Sequence, residues 1–390
     1  MNRFAKIAAV MAVGAMTFTA CGGNTEPKAD ETKAESSAVE STKTDAPKTE
    51  ESKAPEGGAL ELTCPKGKVN GGGSSAQDIA MQALTKEYNE LCKEQGSQVI
   101  YTKSGSGAGI KDFYNKQLQW AGSDSALKDK EKDGVIETEK VKERCGGNEG
   151  WNLPLIVGPV AFAYNLDGVD KLNLTPEVVT NIFLGKITKW DAPEIKELNK
   201  DAKLPADKIN VVYRNDESGT TENVAKYLKA AAPAAFTGEP SKEPFAKVGE
   251  GKKGTQAVAE AVQKTKGGFG YMEWKYAKDA QLGVAMLDEV ELTAESAGKA
   301  MDAAEIAGKG NDLKVKLKYT DLGKDTYPMV MVTYEIVCSK GLQGDEGKLM
   351  KDFLTYASSE DAQASLEDQG YAPLPEGMLK KVQDAVKALG

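Results

Sequence analysis

Histidine is absent from this chain, and that absence removes much of ordinary enzyme chemistry. A serine nucleophile usually needs an imidazole base, so no Ser-His-Asp arrangement can be assembled. A metal site of nitrogen and sulfur ligands loses its commonest nitrogen donor, and the wide spacing of Cys64, Cys92, Cys145 and Cys338 forms no zinc pattern. No cofactor is expected. Arginine is scarce as well, with only Arg3, Arg144 and Arg214 in a lysine-rich chain. The formal net charge of −9 argues against a nucleic-acid surface, because phosphodiester binding relies on clustered Lys and Arg. It leaves room for a small anion, which local dipoles hold whatever the overall sign.

The amino end carries Arg3 and Lys6, then an uncharged, largely apolar run from Ile7 to Ala20 that ends in Phe18-Thr19-Ala20-Cys21. A run this short suits a cleaved export signal rather than a permanent membrane helix. The ending resembles a lipobox, which makes Cys21 the lipidated first residue of the mature protein and the membrane a partner through that lipid. From Gly22 to Gly58 the chain holds no aromatic residue and one large aliphatic, Val39. Such a segment cannot offset its ordering entropy. It is predicted to be a solvated tether over 22–58, with a random-coil reach of about 35 Å and a taut limit of about 120 Å. With Cys21 set aside, an exported chain with four further cysteines predicts two disulfides. Cys92 with Cys145 and Cys64 with Cys338 is the pairing preferred, although the sequence allows three.

Beyond Gly58 apolar residues are distributed throughout, enough for two lobes with their own cores. Strand-like and helix-like periods alternate, the mark of an α/β architecture. Strands are expected over Lys68–Gly73, Gln98–Thr102, Ile209–Tyr213 and Met329–Cys338, with separate apolar runs at Asn152–Val157 and Val160–Asn165 leading into the second lobe. Thr175-Pro176-Glu177 is a helix start, the threonine as cap and the proline at the first helical position. The polar stretch from about 286 to 325 is expected to be surface structure of the second lobe. The boundaries that follow are 1–21 for the signal, 59–157 and 329–390 for lobe 1, and 158–328 for lobe 2.

Three places share one design of strand, Gly/Ser/Thr loop and amphipathic helix: Gly71-Gly72-Gly73-Ser74-Ser75, Ser104-Gly105-Ser106-Gly107, and Glu217-Ser218-Gly219-Thr220-Thr221. Unpaired backbone N–H groups at a helix start attract anions, glycine lets a ligand approach, and hydroxyls add donors without charge. Each loop alone could be an ordinary capped helix. Together they would gather at the carboxyl ends of the strands, where open α/β sheets bind ligands. Arg214 precedes the third loop, its planar fork suited to two oxygens of a tetrahedral oxyanion, and Asp216 is placed to steady it. Asp124, in Gly122-Ser123-Asp124-Ser125, is useful beside an anion only if the ligand carries a proton to donate. Phosphate does; sulfate does not.

These loops, together with Tyr101 to Lys111, Ala121 to Leu127, the string Leu184-Gly185-Lys186-Ile187-Thr188-Lys189-Trp190-Asp191, Gly268-Phe269-Gly270-Tyr271 and the closing Gly370-Tyr371-Ala372-Pro373-Leu374-Pro375, resemble the phosphate-binding proteins of high-affinity phosphate ABC transporters. The resemblance spans nearly everything after the tether. It implies a two-lobed periplasmic-binding-protein fold of type II, with a ligand cleft between lobes joined by a hinge. It also implies phosphate ligands at Ser75, Ala76, Ser106, Asp124, Arg214, Ser218, Gly219 and Thr220, with Asp216 supporting the arginine. Ala76 would act through its backbone N–H where some members carry a bulky aromatic. Glu217 stands where glycine is common, and its carboxylate must point outward. The implied protein is a monomeric, extracytoplasmic lipoprotein that hands inorganic phosphate to permease subunits and is not an enzyme; the lipobox, tether and expected disulfides together point to a Gram-positive envelope. The rival readings are a phosphate-ester or acyl hydrolase using a loop serine, a receptor for sulfate, molybdate or another oxyanion, and a surface adhesin.

Overall fold

A computed structural model describes residues 60–390 apart from 342, 343, 368 and 373. The signal, Cys21 and the tether expected over 22–58 lie outside the described residues. The chain opens with β1 (Gly67–Gly73), α1 (Asp78–Leu91), β2 (Ser97–Lys103), α2 (Ser106–Tyr114), β3 (Trp120–Ser123), α3 (Glu137–Arg144) and the long β4 (Gly150–Tyr164). It continues through β5 (Asn173–Leu174), α4 (Pro176–Phe183), α5 (Pro193–Leu198), β6 (Asn210–Arg214), α6 (Gly219–Ala231), β7 (Glu250–Lys252), α7 (Thr255–Lys264), β8 (Gly268–Glu273) and α8 (Trp274–Asp279). Short pieces follow, β9 (Gly283–Val284), β10 (Met286–Leu287), α9 (Ala294–Asp302), β11 (Glu305–Ile306) and β12 (Val315–Lys316). The chain closes with β13 (Val330–Cys338), α10 (Asp345–Ala357), α11 (Glu360–Glu367) and α12 (Glu376–Lys387).

The main sheet runs β2-β1-β3-β13-β4-β8-β6-β7, with β9 added alongside β4. At one end β1 pairs in parallel with β2 and β3, and at the other β6 pairs in parallel with β7 and β8. The central β13 and β4 are antiparallel to their neighbours. The two apolar runs expected at Asn152–Val157 and Val160–Asn165 are one 15-residue strand. Pro159 removes a ladder donor between them, but the next N–H, Val160, donates to Met329 O at 2.8 Å and keeps the strand continuous. β4 changes partner at this point: Gly150–Pro159 lies against β13, and Val160–Tyr164 against β8.

Packing follows the periodicities. In α1 the buried stripe is Ala80, Met81, Leu84 and Tyr88, four positions on one helical face, while Leu91 at the helix end is exposed. Gly71 has no alternative, because a Cβ there would lie 1.9 Å from the Trp120 ring. Tyr88, Trp120, Phe353 and Tyr356 form one aromatic group, and Phe162, Phe183, Trp190, Tyr227, Phe269 and Tyr271 form part of another. Thr175 caps α4 by accepting from Val178 N at 3.2 Å. The stretch 286–325 is less superficial than its polarity implies. A capping box of Thr293 and Ser296 starts α9, which buries Ala297, Ala300 and Met301.

The disulfides differ from the pairing preferred on sequence. They join Cys64 to Cys92 and Cys145 to Cys338. Asp352 of α10 accepts hydrogen bonds from Thr63 N at 2.8 Å, Cys64 N at 3.1 Å and Tyr88 Oη at 2.8 Å, which brings Cys64 beside the end of α1, where Cys92 is the cap. The β4/β13 ladder pairs Cys338 with Gly150, and Cys145 caps the helix just before that strand. Contacts distant in the chain decided the connectivity, α10 placing Cys64 and the β4/β13 ladder placing Cys338.

Candidate functional site

The three Gly/Ser/Thr loops converge. α2 begins at Ser106, and α6 begins at Gly219 with Ser218 as its N-cap, accepting from Thr221 N at 3.1 Å. The first loop turns through Ser74 and Ser75 before α1. The second and third meet directly: Gly107 N donates to Glu217 O at 3.0 Å, and a Cβ on Gly219 would fall 2.6 Å from Ser106 Oγ and 2.8 Å from Asp124 Cβ. Close approach of the backbones requires glycine there.

Asp124 lies at the centre of the gathering, 3% exposed. Its Oδ1 accepts from Ser74 Oγ and from Thr333 Oγ1 at 3.0 Å, and its Oδ2 from Thr220 Oγ1 at 3.0 Å and Ser106 Oγ at 3.4 Å. Burial pushes the Asp124 carboxyl above its ordinary range, while the Ser74 hydrogen bond, the Arg214 charge and the remaining hydroxyls pull it back toward ionisation. Asn223 Nδ2 ties the Asp124 carbonyl, at 2.6 Å, to that of Gly219, at 2.9 Å. The Ala76 N–H is engaged by Ser74 Oγ at 3.1 Å.

A cationic pole lies beside it. Arg214, 2% exposed, makes a bidentate pair with Asp216, Nε to Oδ1 and Nη2 to Oδ2, each at 2.6 Å. Burial would raise the Asp216 carboxyl, but the Arg214 hydrogen bonds and charge outweigh it and hold it below its usual value. The free edge of the guanidinium donates from Nη1 to Thr255 Oγ1 at 3.1 Å, and Thr255 in turn meets Ser75 Oγ at 3.0 Å. Thus Ser75, Ser106, Asp124, Arg214, Asp216, Ser218, Gly219 and Thr220 all belong to one buried cluster, with Ala76 attached through Ser74.

Four members of this cluster were not foreseen. Ser74 carries no mark beyond its place in the first loop, and Thr333 sits mid-strand with nothing in its sequence context to single it out. Tyr271 meets Thr221 Oγ1 at 2.6 Å and lies 3.4 Å from Arg214 N as acceptor. Thr255 had a signal: Gly254-Thr255 followed by Val258, Ala259 and Val262 repeats the glycine, hydroxyl and amphipathic helix design of the other three loops. α7 is therefore a fourth helix with its amino end at the cluster, and Thr255 N donates to Ser75 Oγ at 3.0 Å.

The rim is ionic. Glu217 does turn away, to Lys111 of α2 at 2.5 Å, and Glu222 of α6 is held by Lys128 and by Lys226 at 2.7 Å. Lys242 meets Glu137 at 2.6 Å. A cavity of about 280 Å³ lined by Ser75, Lys103, Gly105, Asp216, Gly254 and Thr255 opens beside the cluster. Among the described residues, the one group of cysteine and carboxylate atoms close enough to hold a metal is Cys64, Cys92 and Asp352, and it is spent on a disulfide and on hydrogen bonds.

The arrangement offers a fixed cation, four helix amino ends, hydroxyl donors and one buried proton acceptor. Residues 35–361 match the model of the PBP superfamily domain. The phosphate-binding protein PstS 3 of Mycobacterium tuberculosis is 35% identical over 398 aligned residues, covering 100% of this chain and 99% of that protein. The chain belongs to the PstS family. Phosphate-binding protein PstS of Pasteurella multocida, another member, is 31% identical over 297 residues, covering 75% of this PstS-family chain and 82% of its own. Among solved structures, the high-affinity periplasmic phosphate-binding protein PfluDING, bound with phosphate, superposes with a TM-score of 0.66 at 22% identity, over 82% of this chain and 93% of its own. The phosphate-binding protein of Stenotrophomonas maltophilia gives 0.62 at 19%, over 82% and 94%. The fold is the two-lobed periplasmic-binding-protein fold. Among the described residues, no helix is long and apolar enough to cross a membrane.

Proposed function

We propose that this chain is an extracytoplasmic solute-binding lipoprotein that captures inorganic phosphate and delivers it to an ABC permease, without enzymatic turnover. The observation that carries the reading is the meeting of Asp124 and Arg214 inside one shell of hydroxyls and helix amino ends. Dehydrated phosphate is held by Arg214, by Ser75, Ser106, Ser218 and Thr220, and by the N–H groups of Ala76 and Gly219. Its proton is accepted by Asp124. Asp216 steadies the guanidinium from behind.

Lobe 1 comprises 59–157 and 329–390, and lobe 2 comprises 158–328. The hinge is β4 with β13, because β4 exchanges partners between Pro159 and Val160. Closure of the lobes brings Gly107 against Glu217 and marks the protein as loaded for the permease. Cys21 carries the lipid and 22–58 the tether, so the binding body stands off the outer face of the membrane as a monomer. Calorimetric titration with phosphate, sulfate and arsenate tests the reading: saturable phosphate binding with sulfate much weaker is expected. Equal affinity for sulfate, no binding, or sustained phosphatase turnover would each overturn it. Metabolic labelling with a fatty acid, lost on Cys21→Ala, tests the anchor.

A further inference from the structure

Behind the anion cluster lies a buried acid that the binding scheme does not use. Glu335 of β13 is fully buried and pairs with Gly122 of β3. No donor meets either carboxyl oxygen in good geometry, although Gln77 and Trp120 stand close enough to donate to it. The side chains that bear on it are Gln77 and Trp120, and these leave Gln77 Oε1 and Trp120 Nε1 also without partners. Two donors therefore face Glu335, the Trp120 N–H and the second N–H of Gln77, whose first goes to Tyr101 Oη, and Gln77 Oε1 is left without a partner. No cation accompanies these donors, so an ionised Glu335 would be a fully buried charge held by two neutral N–H groups; as the neutral acid its O–H can instead donate to Gln77 Oε1 while the other oxygen accepts from Trp120.

This places Glu335 at the far end of a polar chain that runs through Gln77, Tyr101 and Ser74 to Asp124. Gly122 makes room for it, since a Cβ there would lie 2.0 Å from Gln77 Nε2 and 2.3 Å from Tyr101 Oη. The titratable groups around the chain are Asp124 from the loop after β3, Tyr101 of β2 and, on the Tyr101 side, Asp78 of α1, which is paired with Lys103. Among the described residues no Lys or Arg charge bears on Glu335, and the nearby charge of Asp124 has the same sign as the one it would acquire.

We propose that Glu335 is a positioning residue of the anion site: as a neutral acid it fixes Gln77, Tyr101 and the Ser74 turn against Asp124, and its ionisation weakens phosphate binding. The proposal rests on the phosphate reading above. Burial, with Asp124 adding to it, lifts the Glu335 carboxyl to about 8 against the pull of the Gln77 and Trp120 donors. The site is therefore complete below that pH and is lost as pH rises through it. If binding requires the proton, affinity falls by up to about tenfold one unit above.

Phosphate affinity measured by calorimetry from pH 6.5 to 9.5 on the full chain and on Glu335→Gln tests this, since glutamine keeps a donor and an acceptor but cannot ionise. The ligand's own ionisation is common to both proteins, so the ratio of their affinities isolates Glu335. The ratio should shift against the wild type by about tenfold between pH 7 and pH 9. Infrared spectra at pH 7 should show a protonated-carboxyl band that Glu335→Gln lacks. Tyr101→Phe, which keeps Glu335 but cuts the link to Ser74, should bind more weakly at pH 7 and lose the alkaline fall. Parallel affinity curves, or no difference in the carboxyl band, overturn the positioning role alone. Absence of phosphate binding in both proteins at every pH overturns the phosphate reading and the role with it.

Discussion

Replacing Asp124 with Asn separates the charge of this residue from its shape. The carboxylate receives four hydroxyls, from Ser74, Ser106, Thr220 and Thr333. An amide nitrogen in place of one oxygen meets hydroxyls that can turn and accept, because each has a second lone pair. The fold should therefore survive and the ligand preference change. For a fully ionised oxyanion about 3.5 Å from Asp124, repulsion at an effective dielectric of 20 is roughly 4–5 kcal/mol, a factor of about a thousand in binding. Sulfate should gain up to that factor on Asp124→Asn. Phosphate should lose the charge-assisted bond from its own hydrogen, about 1.5–3 kcal/mol, or roughly ten- to a hundredfold. Acid should act in the same direction. Burial has raised the Asp124 carboxyl, so the ionised form needed for proton acceptance disappears at a higher pH than for an exposed aspartate, and selectivity falls as pH drops through that point. Titration calorimetry of both anions with both proteins measures the ratio directly. A phosphate-to-sulfate ratio that is the same in wild type and Asp124→Asn would refute the argument, whatever the absolute affinities.

Asp216→Asn should strand the buried Arg214 guanidinium by removing its bidentate partner, destabilising the protein by about 3–5 kcal/mol in urea unfolding and weakening phosphate binding. Gly107→Ala should weaken phosphate binding by at least about tenfold (about 1.4 kcal/mol) with little change in ligand-free melting, because the new Cβ would lie 2.5 Å from Glu217 Cβ. Adding Glu217→Gly to that variant should restore affinity, and failure of this rescue would remove the steric explanation. Cys145→Ser with Cys338→Ser opens a bridge between residues 193 apart in the chain and should cost about 2–5 kcal/mol in urea unfolding, and reducing agent should cost the wild type at least as much because it opens the Cys64–Cys92 bridge too.

The parts of this site that could be read from the residues are those encoded locally. A glycine, a hydroxyl and the onset of an amphipathic period mark a helix amino end within ten residues, and Ser106 and Ser218 are where that pattern put them. Asp216 finding Arg214 is equally local, two positions away. Thr255 obeys the same rule and was legible in principle from Gly254-Thr255. By contrast Thr333 and Glu335 lie within a run of buried strand residues, where the sequence shows only that the strand is covered on both faces. Their contacts with Asp124, Gln77 and Trp120 exist because β13 is laid antiparallel to β3 in one register. The disulfide partner of Cys145 depends on the β4/β13 pairing in the same way, and that of Cys64 on its packing against α10.

That division has a physical consequence for how the site is built. The donors come from helix starts, which local sequence stabilises, so they are in place as soon as each helix forms. The acceptor side depends on the sheet: Asp124 is held by Thr333 across the β3/β13 edge and by Thr220 from α6, residues separated from it by 209 and 96 positions. A change that slips β13 by one residue would turn Thr333 and Glu335 to the other face, leaving the helix amino ends intact and Asp124 short of a donor. Such a protein should still attract anions, through dipoles and Arg214, while no longer telling which of them carries a hydrogen. On the proposed reading affinity and selectivity should thus be separable in this fold, one resting on local helix chemistry and the other on strand register.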